Sequence, residues 1–246
     1  MAHSIINAKI ARCPCGSTHV SHVAQNYLLC LYVMKEQGIR ATPAHIADYI
    51  RKIPATERLG ASLPSVVGMI RRMVKEGFVE ISGKKDVSLT RIGKVYAEQM
   101  VRRHRLAERM VVDLLNLDLA SAHIEAHQLE HAMSPELESK IRERLGNPTT
   151  SPFGHPIPGS NYKEPQGDIT TLEKAVPKQP YLIERIPEDD QELLRFFIEH
   201  NVMPGQGIEV IESGLYRGVV SFQTTVGETS IGYEAAKSIR VVKSDN

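Results

Sequence analysis

The sequence predicts a mainly α-helical chain with a small β domain at its C-terminal end. Three observations support this fold class. Helix-period apolar patterns fill residues 24–75 and 91–146, two short alternating runs lie between them, and further alternating runs split by glycines follow residue 180. With 246 residues and 41% hydrophobic content, the chain has enough apolar material for two or three small cores.

The first third of the chain has the pattern of a winged helix-turn-helix. Helices are predicted over residues 24–36, 42–52 and 63–77. Thr42 is placed to cap the second helix, and Pro64 lies in the first turn of the third, where proline is favoured. Two short strands joined by a Gly-Lys-Lys turn follow in residues 78–90, so that three helices precede a hairpin.

The rest of the chain is predicted to hold a helical region and a barrel. The helical region has enough apolar surface to cover itself and a second copy of the chain. Prolines, glycines and threonines without periodicity then indicate a linker, and short alternating runs indicate a small β-barrel. The predicted parts are an N-terminal extension, a winged helix-turn-helix, a helical domain, a linker and a barrel, over residues 1–22, 23–93, 94–150, 151–179 and 180–246.

The cysteines and the charge balance limit the classes of protein. Cys13 and Cys15 lie near the N-terminus and Cys30 lies in an apolar run, so no disulfide framework is expected and a cytoplasmic location fits. No apolar run is long enough for a membrane span. With a formal net charge of +1, nucleic-acid binding must come from local basic patches. The N-terminal stretch could be a structural zinc site, a thiol redox sensor or a flexible tail. The zinc ligands would be Cys13, Cys15, His19 and His22.

The pentapeptide HQLEH, at residues 127–131, is a candidate metal motif. Taken alone, it matches H-x-x-E-H, a zinc metalloprotease signature. A helix turns about 100° per residue, so residues three and four apart share a face. The preceding helix also carries a histidine and a glutamate that are four residues apart. The candidates on the two helices are His104, Glu108, His123, His127, Glu130 and His131. Nitrogen and carboxylate ligands suit Mn²⁺, Fe²⁺ and Zn²⁺. The alternative interpretation is that these residues are solvated His–Glu pairs on the surfaces of the helices.

Three stretches carry a resemblance to a known family. They are HRLAER at residues 104–109, the helix HIEAHQLEHAMS, and NPTTSPFGHPIPG. In these stretches the chain resembles the metal-dependent repressors of the diphtheria toxin repressor, iron-dependent regulator and manganese-regulator family. The resemblance runs from about residue 24 to 160, with a looser match to that family's C-terminal SH3-like or FeoA-like domain.

The resemblance implies two metal sites in each subunit. One would be formed by His104, Glu108 and His123, and the other by His127, Glu130 and His131, completed by Asn26. Iron-type members carry sulfur ligands and manganese-type members carboxylates where this chain has Asn26 and His127, so it departs from both patterns. The loss of sulfur favours Mn²⁺ or Fe²⁺, with Zn²⁺, Co²⁺ or Ni²⁺ as ions that could bind in vitro. In some members the C-terminal domain adds a ligand, for which Asp190 and Glu192 are the candidates.

The resemblance also implies which residues face DNA. They are Pro64, Ser65, Val67, Arg72, Lys75, Lys84 and Lys85. Pro64 is suited to a thymine methyl group and Ser65 to a hydrogen bond with a base, whereas the basic side chains would reach phosphates. Family members usually keep a small polar residue at the position of Val67, and the turn over residues 52–62 is longer than usual.

The function predicted from these residues is a DNA-binding transcriptional regulator activated by Mn²⁺ or Fe²⁺, a repressor of metal-uptake genes. It would bind palindromic double-stranded operators as a homodimer, with no membrane and no small organic substrate as partner. A zinc-dependent hydrolase that uses the H-x-x-E-H motif is one alternative. A constitutive DNA-binding protein with a structural metal is the other.

Overall fold

The computed structural model describes residues 20–83 and 85–244. Within these residues the chain divides into two compact units, of which the first comprises residues 20–51 and 58–97 and the second residues 52–57 and 98–244. The candidates Cys13, Cys15, His19 and Lys84 lie outside the described residues. None of the helices in the described residues is long and apolar enough to cross a membrane.

The first unit holds three helices and a two-stranded hairpin, as predicted. Its elements are α1 (His22–Glu36), α2 (Pro43–Lys52), α3 (Leu63–Lys75), β1 (Val79–Ile81) and β2 (Val87–Leu89). Thr42 caps α2 by accepting from the His45 backbone N–H, and Ser62 caps α3 by accepting from that of Ser65. These caps satisfy N–H groups that a helix start leaves without an intrahelical partner, so the helices begin there.

The apolar faces of α2 and α3 form part of the core of this unit. On α3, Val66, Ile70 and Met73 are almost completely buried at helical spacing. Val66 and Ile70 are therefore core residues of the first unit. The hairpin is antiparallel, with Val79 opposite Leu89.

Three helices open the second unit. They are α4 (Arg91–Arg109), which begins in the first unit, α5 (Leu119–Leu129) and α6 (Pro135–Arg144). A π-helical turn, Met110–Leu114, follows α4, and a 3₁₀ turn, Glu130–Ala132, follows α5. The α-helix in the stretch HIEAHQLEHAMS therefore ends at Leu129, before the end of that stretch. Pro135 disfavours a helical conformation at Ser134, which is extended and caps α6.

One six-stranded antiparallel sheet makes up most of the C-terminal part. Its elements are β3 (Ile169–Thr171), β4 (Pro180–Arg185), α7 (Gln191–Glu199), β5 (Gly207–Gly214), β6 (Val219–Gln223), β7 (Glu228–Gly232), α8 (Tyr233–Ala236) and β8 (Arg240–Lys243). The strand order is β3-β8-β4-β5-β6-β7. Buried and exposed residues alternate along β6 and β7, as expected of strands with one face in a core.

The segment predicted as a linker, residues 151–179, needs correcting, because it contains β3 and buried residues. Phe153 and Ile157 are 0% and 2% exposed, and Phe153 accepts a backbone hydrogen bond from Ile186. A segment without periodicity can still be buried when its backbone groups find partners. Phe153 belongs to one core with Val111 of the helical part and Phe197 of α7, so the two predicted domains share a core.

Candidate metal centre and DNA-facing surface

Two helices carry a cluster of buried histidine and glutamate side chains. His104 and Glu108 lie four residues apart on α4, and His123 and His127 lie four apart on α5. The four residues are between 0% and 9% exposed. Ionisable groups buried this deeply require partners, so their mutual geometry decides what the cluster can bind.

Three donor atoms of the cluster form a nearly equilateral triangle. His104 Nε2 lies 3.0 Å from Glu108 Oε1 and 3.0 Å from His123 Nδ1, and His123 Nδ1 lies 3.1 Å from Glu108 Oε1. A proton can bridge only one edge of this triangle at a time. One cation can contact all three lone pairs at once, so the triangle fits a metal ion.

The edge length of the triangle indicates the geometry that suits it. Neighbouring ligands of an octahedral ion lie about 3.0 Å apart when the bonds are about 2.1 Å long, whereas those of a tetrahedral ion lie about 3.4 Å apart. Within the described residues, Glu108 Oε2 and His127 Nδ1 are buried without a hydrogen-bond partner. The second carboxylate oxygen of Glu108 is therefore an additional donor atom beside the triangle, whereas His127 Nδ1 lies 3.5 Å from Glu130 Oε1.

Glu130 and His131 extend the cluster beyond the end of α5. Glu130 Oε2 lies 2.5 Å from His104 Nδ1, and Glu130 Oε1 lies 3.2 Å from His131 Nε2. His104 therefore faces Glu108 with one ring nitrogen and Glu130 with the other. The His127 ring centroid lies 4.6 Å from that of His104, and His127 Nδ1 lies 3.5 Å from Glu130 Oε1, so His127 is a neighbour of residues from both predicted sites.

Burial and charge shift the pKa values of the cluster. Burial disfavours protonation of His104, but the carboxylates of Glu108 and Glu130 outweigh it and raise the pKa of His104 well above its usual value. Burial opposes ionisation of Glu130, yet the charge on His104 lowers the pKa of Glu130 to about 2. Burial lowers the pKa of His127 to about 4. At neutral pH Glu130 is charged and His127 is neutral, the forms that bind metal ions.

A further carboxylate reaches the cluster from the loop between β4 and α7. Glu188 forms one group with His104, Glu108 and His123, and their ligand atoms all lie within 4.8 Å of one another. Burial and then the charge of Glu108 raise the pKa of Glu188 to about 7. A cation held by both carboxylates removes this repulsion, so the donor set fits a divalent ion.

The predicted C-terminal ligands are Asp190 and Glu192, but the structure groups a different acidic residue, Glu188, with His104, Glu108 and His123. Asp190 is the N-cap of α7, and its carboxylate accepts from the backbone N–H groups of Glu192 and Leu193. The Glu192 side chain is exposed. The sequence contains a local signal for this difference. Aspartate directly before a helix is a favoured N-cap, so Asp190 is expected to cap α7, and the earlier Glu188 is free of that role.

His155 lies against Glu188 and was not among the predicted site residues. Its Nε2 donates to the Ile186 carbonyl oxygen at 3.1 Å and lies 3.3 Å from Glu188 Oε2. Burial and then the charge of Arg105 lower the pKa of His155 well below its usual value, so the ring is neutral. His155 comes from the segment predicted as a linker, where no ligand-like spacing pointed to it.

A surface cleft connects the cluster with solvent. His123 and Glu188 line it together with Asp189, Asp190 and Glu192, which share it with one lysine. An excess of acidic side chains raises the local concentration of cations. The cleft is therefore a suitable entry path for a metal ion.

Two family descriptions and a full-length relative match the chain. Residues 90–159 match "Iron dependent repressor, metal binding and dimerisation domain", and residues 170–243 match the FeoA domain. The diphtheria toxin repressor of Corynebacterium efficiens is 31% identical over 230 residues, which cover 89% of this chain and 94% of that protein. The chain belongs to the diphtheria toxin repressor family.

Other members of the family match with different coverage. The iron-dependent repressor IdeR of Mycobacterium tuberculosis is 40% identical over 133 residues, 54% of each protein, so the matched region spans about half the length of that relative. A solved structure of a manganese-dependent transcriptional repressor in complex with manganese superimposes with a TM-score of 0.78 at 30% identity. That match covers 90% of this chain and 100% of the solved chain, and it confirms the predicted fold class.

The residues expected to face DNA in this family lie in the first unit and are mostly exposed. Pro64 and Ser65 are exposed at the N-terminal end of α3. Lys75 and Lys85 are exposed as well. Exposure leaves these four side chains accessible to a nucleic acid, and their contacts with DNA stay a prediction.

Two other candidates have partners within the protein. Arg72 forms an ion pair of 2.8 Å with Glu76, one turn along α3. Val67 is partly buried and lines an apolar pocket with Leu63 and Ile81. An exposed ion pair is weak and can exchange for a phosphate, whereas Val67 has a packing role of its own.

Asn26, the residue predicted to complete the second site, lies on α1 in the first unit. Its side chain is 0% exposed, and its amide nitrogen donates to the His22 carbonyl oxygen at 3.3 Å. His22, the first residue of α1, is exposed. Metal coordination by Asn26 stays a prediction.

Proposed function

We propose that this member of the diphtheria toxin repressor family is a transcriptional repressor activated by a divalent metal ion. The observation that carries the proposal is the triangle of donor atoms from His104, Glu108 and His123, which lies in a buried cluster with an acidic entry cleft. The relatives named above are iron-dependent and manganese-dependent repressors, which supports the same activity here.

Two metal centres are part of the proposal. The first is held by His104, Glu108, His123 and Glu188, and the second involves Glu130 and His131. His127 lies between the two sets, and Asn26 remains a candidate for the second centre. A bound ion supplies positive charge that neutralises buried carboxylates, which stabilises the folded arrangement around it.

Mn²⁺ or Fe²⁺ is the ion that this donor set favours. Oxygen and imidazole nitrogen atoms suit both ions, and within the described residues no cysteine sulfur joins the metal-binding groups. Zn²⁺, Co²⁺ and Ni²⁺ are expected to bind in vitro because affinity generally rises along this series of metals.

Double-stranded DNA and a second copy of the chain are the proposed partners. The basic, exposed side chains at the C-terminal end of α3 and on the hairpin would contact phosphates, while Pro64 and Ser65 would contact bases. The match to a metal-binding and dimerisation domain supports a homodimer. A two-fold dimer requires a palindromic operator. We propose the cytoplasm as the location in which such a regulator acts.

The family relationship does not support the hydrolase alternative for the H-x-x-E-H motif, since the relatives are repressors. In the cluster Glu130 contacts three histidines, which suits a ligand better than a catalytic base. A constitutive DNA-binding protein with a structural metal differs from the proposal in one property. Its DNA affinity would not change with the metal concentration.

Selection of binding sites from a random duplex library, with Mn²⁺ or with EDTA, tests the proposal. We expect enrichment of two-fold symmetric sequences with Mn²⁺ and little enrichment with EDTA. Fe²⁺ under anaerobic conditions should act like Mn²⁺, and Glu130→Ala should abolish the enrichment. Equal enrichment with Mn²⁺ and EDTA would favour the constitutive alternative.

A further inference from the structure

The long turn between α2 and α3 belongs to the metal-binding unit. Residues 52–57 join the second unit, although the helices on either side of them join the first. Ala55–Glu57 form a 3₁₀ turn, in which Ala55 and Thr56 are exposed and Glu57 is only 7% exposed. A glutamate is rarely buried in an otherwise exposed turn unless it has an interaction to make there.

Glu57 is directed at the second part of the metal cluster. Its Oε2 lies 3.4 Å from Nε2 of His131, and the same nitrogen lies 3.2 Å from Oε1 of Glu130. Two carboxylates that face one imidazole nitrogen repel each other when both are charged. A divalent cation shared by the three side chains would offset this repulsion, and carboxylate oxygen and imidazole nitrogen are suitable ligands for Mn²⁺ and Fe²⁺.

We propose that Glu57 is a further carboxylate ligand of the second metal centre, together with Glu130 and His131. This proposal rests on the proposed function of the cluster as a metal sensor. It supplies a second carboxylate to a centre for which the sequence offered one carboxylate, Glu130, and the neutral side chain of Asn26 as the completing ligand. It also assigns a role to the long turn.

Coordination by Glu57 connects metal binding with the DNA-reading helix through the chain itself. The segment is already attached at its start, where Lys52 pairs with Asp189 at 2.6 Å. A metal bond at Glu57 would also fix the C-terminal end of this segment. Because α3 begins at Leu63, only a few residues separate Glu57 from the N-terminal end of the helix that carries the candidate base contacts.

Mn²⁺ binding by the full-length protein tests the proposal, with free Mn²⁺ measured by electron paramagnetic resonance. We expect Glu57→Gln to weaken one of two classes of site by about tenfold or more and to leave the other unchanged. His123→Ala should weaken the other class. Glu143→Gln is the matched control, because Glu143 is an exposed carboxylate paired with Lys140. Unchanged affinity at both classes in Glu57→Gln would overturn the proposal.

Hydrogen exchange gives a second readout, which does not depend on DNA. Mn²⁺ should slow amide exchange of residues 52–57 in the wild type and in Glu143→Gln, but not in Glu57→Gln. Equal protection of the segment in Glu57→Gln would overturn the proposal, and circular dichroism shows whether that variant is folded. A failure of the proposed function would give a different result. In that case the wild type would bind no Mn²⁺, or it would bind DNA with the same affinity in the presence and absence of Mn²⁺.

Discussion

At the scale of the residue, His104 joins the two parts of the cluster. Its Nε2 faces Glu108 at 3.0 Å and its Nδ1 faces Glu130 at 2.5 Å. The two carboxylates raise the pKa of His104, so a metal ion that binds this ring competes with a proton. Each carboxylate therefore contributes both to the charge of the ring and to the binding of the ion.

Glu108 provides the first prediction at this scale. Glu108→Gln removes the charge from the donor triangle and keeps the size of the side chain, so Mn²⁺ affinity at the first centre should fall by about tenfold to a hundredfold. Isothermal titration calorimetry measures this change, with Glu143→Gln as the control. An unchanged affinity in Glu108→Gln would contradict the assignment of the triangle as a ligand set.

A pair of substitutions separates Glu188 from its acidic neighbour. Glu188→Gln should weaken Mn²⁺ binding, because it removes a buried carboxylate from the cluster. Asp190→Asn should leave Mn²⁺ binding and the melting temperature nearly unchanged, since asparagine caps a helix about as well as aspartate. If Asp190→Asn weakened Mn²⁺ binding and Glu188→Gln did not, Asp190 would be the ligand.

The sequence predicts the site residues that share a helix, because helical spacing is a local property. His104 with Glu108, and His123 with His127, are such pairs. Glu57, His155 and Glu188 come from turns and loops far away in the chain. Only tertiary packing brings them to the cluster, so no helical spacing could identify them, and the cap pattern at Asp190 was the one local signal that pointed towards Glu188.

At the scale of the element, caps and prolines predict where helices begin. Ser62 and Ser134 both accept from backbone N–H groups three residues on, as their sequence context indicates. The burial of residues 151–157 could not be predicted from caps, prolines or periodicity. Their burial depends on turn hydrogen bonds and a shared core, which leave no periodic pattern.

Two glycines in helices provide a prediction about the first unit. A Cβ atom at Gly93, on α4, would lie 1.8 Å from the Phe78 carbonyl oxygen, whereas one at Gly68, on α3, would meet nothing within 4 Å. Gly93→Ala should therefore lower the free energy of unfolding by about 1–3 kcal/mol or more. Gly68→Ala should raise it by up to about 1 kcal/mol, because alanine favours helices. Urea unfolding of the metal-free protein measures both, and equal stability of the variants would contradict the close approach at Gly93.

At the scale of the whole molecule, metal binding should stabilise the fold. An ion that binds the folded state adds about 2.7 kcal/mol at a concentration of one hundred times its Kd. For a chain of this size each kcal/mol raises Tm by about 2–4 °C. Differential scanning calorimetry should show a higher Tm with Mn²⁺, reversal by EDTA and a smaller shift in Glu108→Gln. A Tm that is the same with Mn²⁺ and EDTA would contradict metal binding by the folded cluster.

The division into two units could not be predicted from the sequence. Residues 52–57 join the metal-binding unit through long-range contacts of Lys52 and Glu57, although they are neighbours of α2 in the chain. The sequence indicated only that this turn is long. Its position between α2 and α3 gives metal binding a covalent path to the helix with the candidate base contacts.

Reciprocal titrations of Mn²⁺ and DNA measure whether metal binding and DNA binding are coupled in this protein. The DNA is a duplex selected with Mn²⁺, and fluorescence anisotropy gives its Kd with and without the ion. Calorimetry gives the Mn²⁺ Kd with and without that duplex. We expect each ligand to tighten the binding of the other by the same factor, about 5-fold to 150-fold, and Glu108→Gln to reduce this factor greatly. A DNA affinity that does not change with Mn²⁺ would contradict the account.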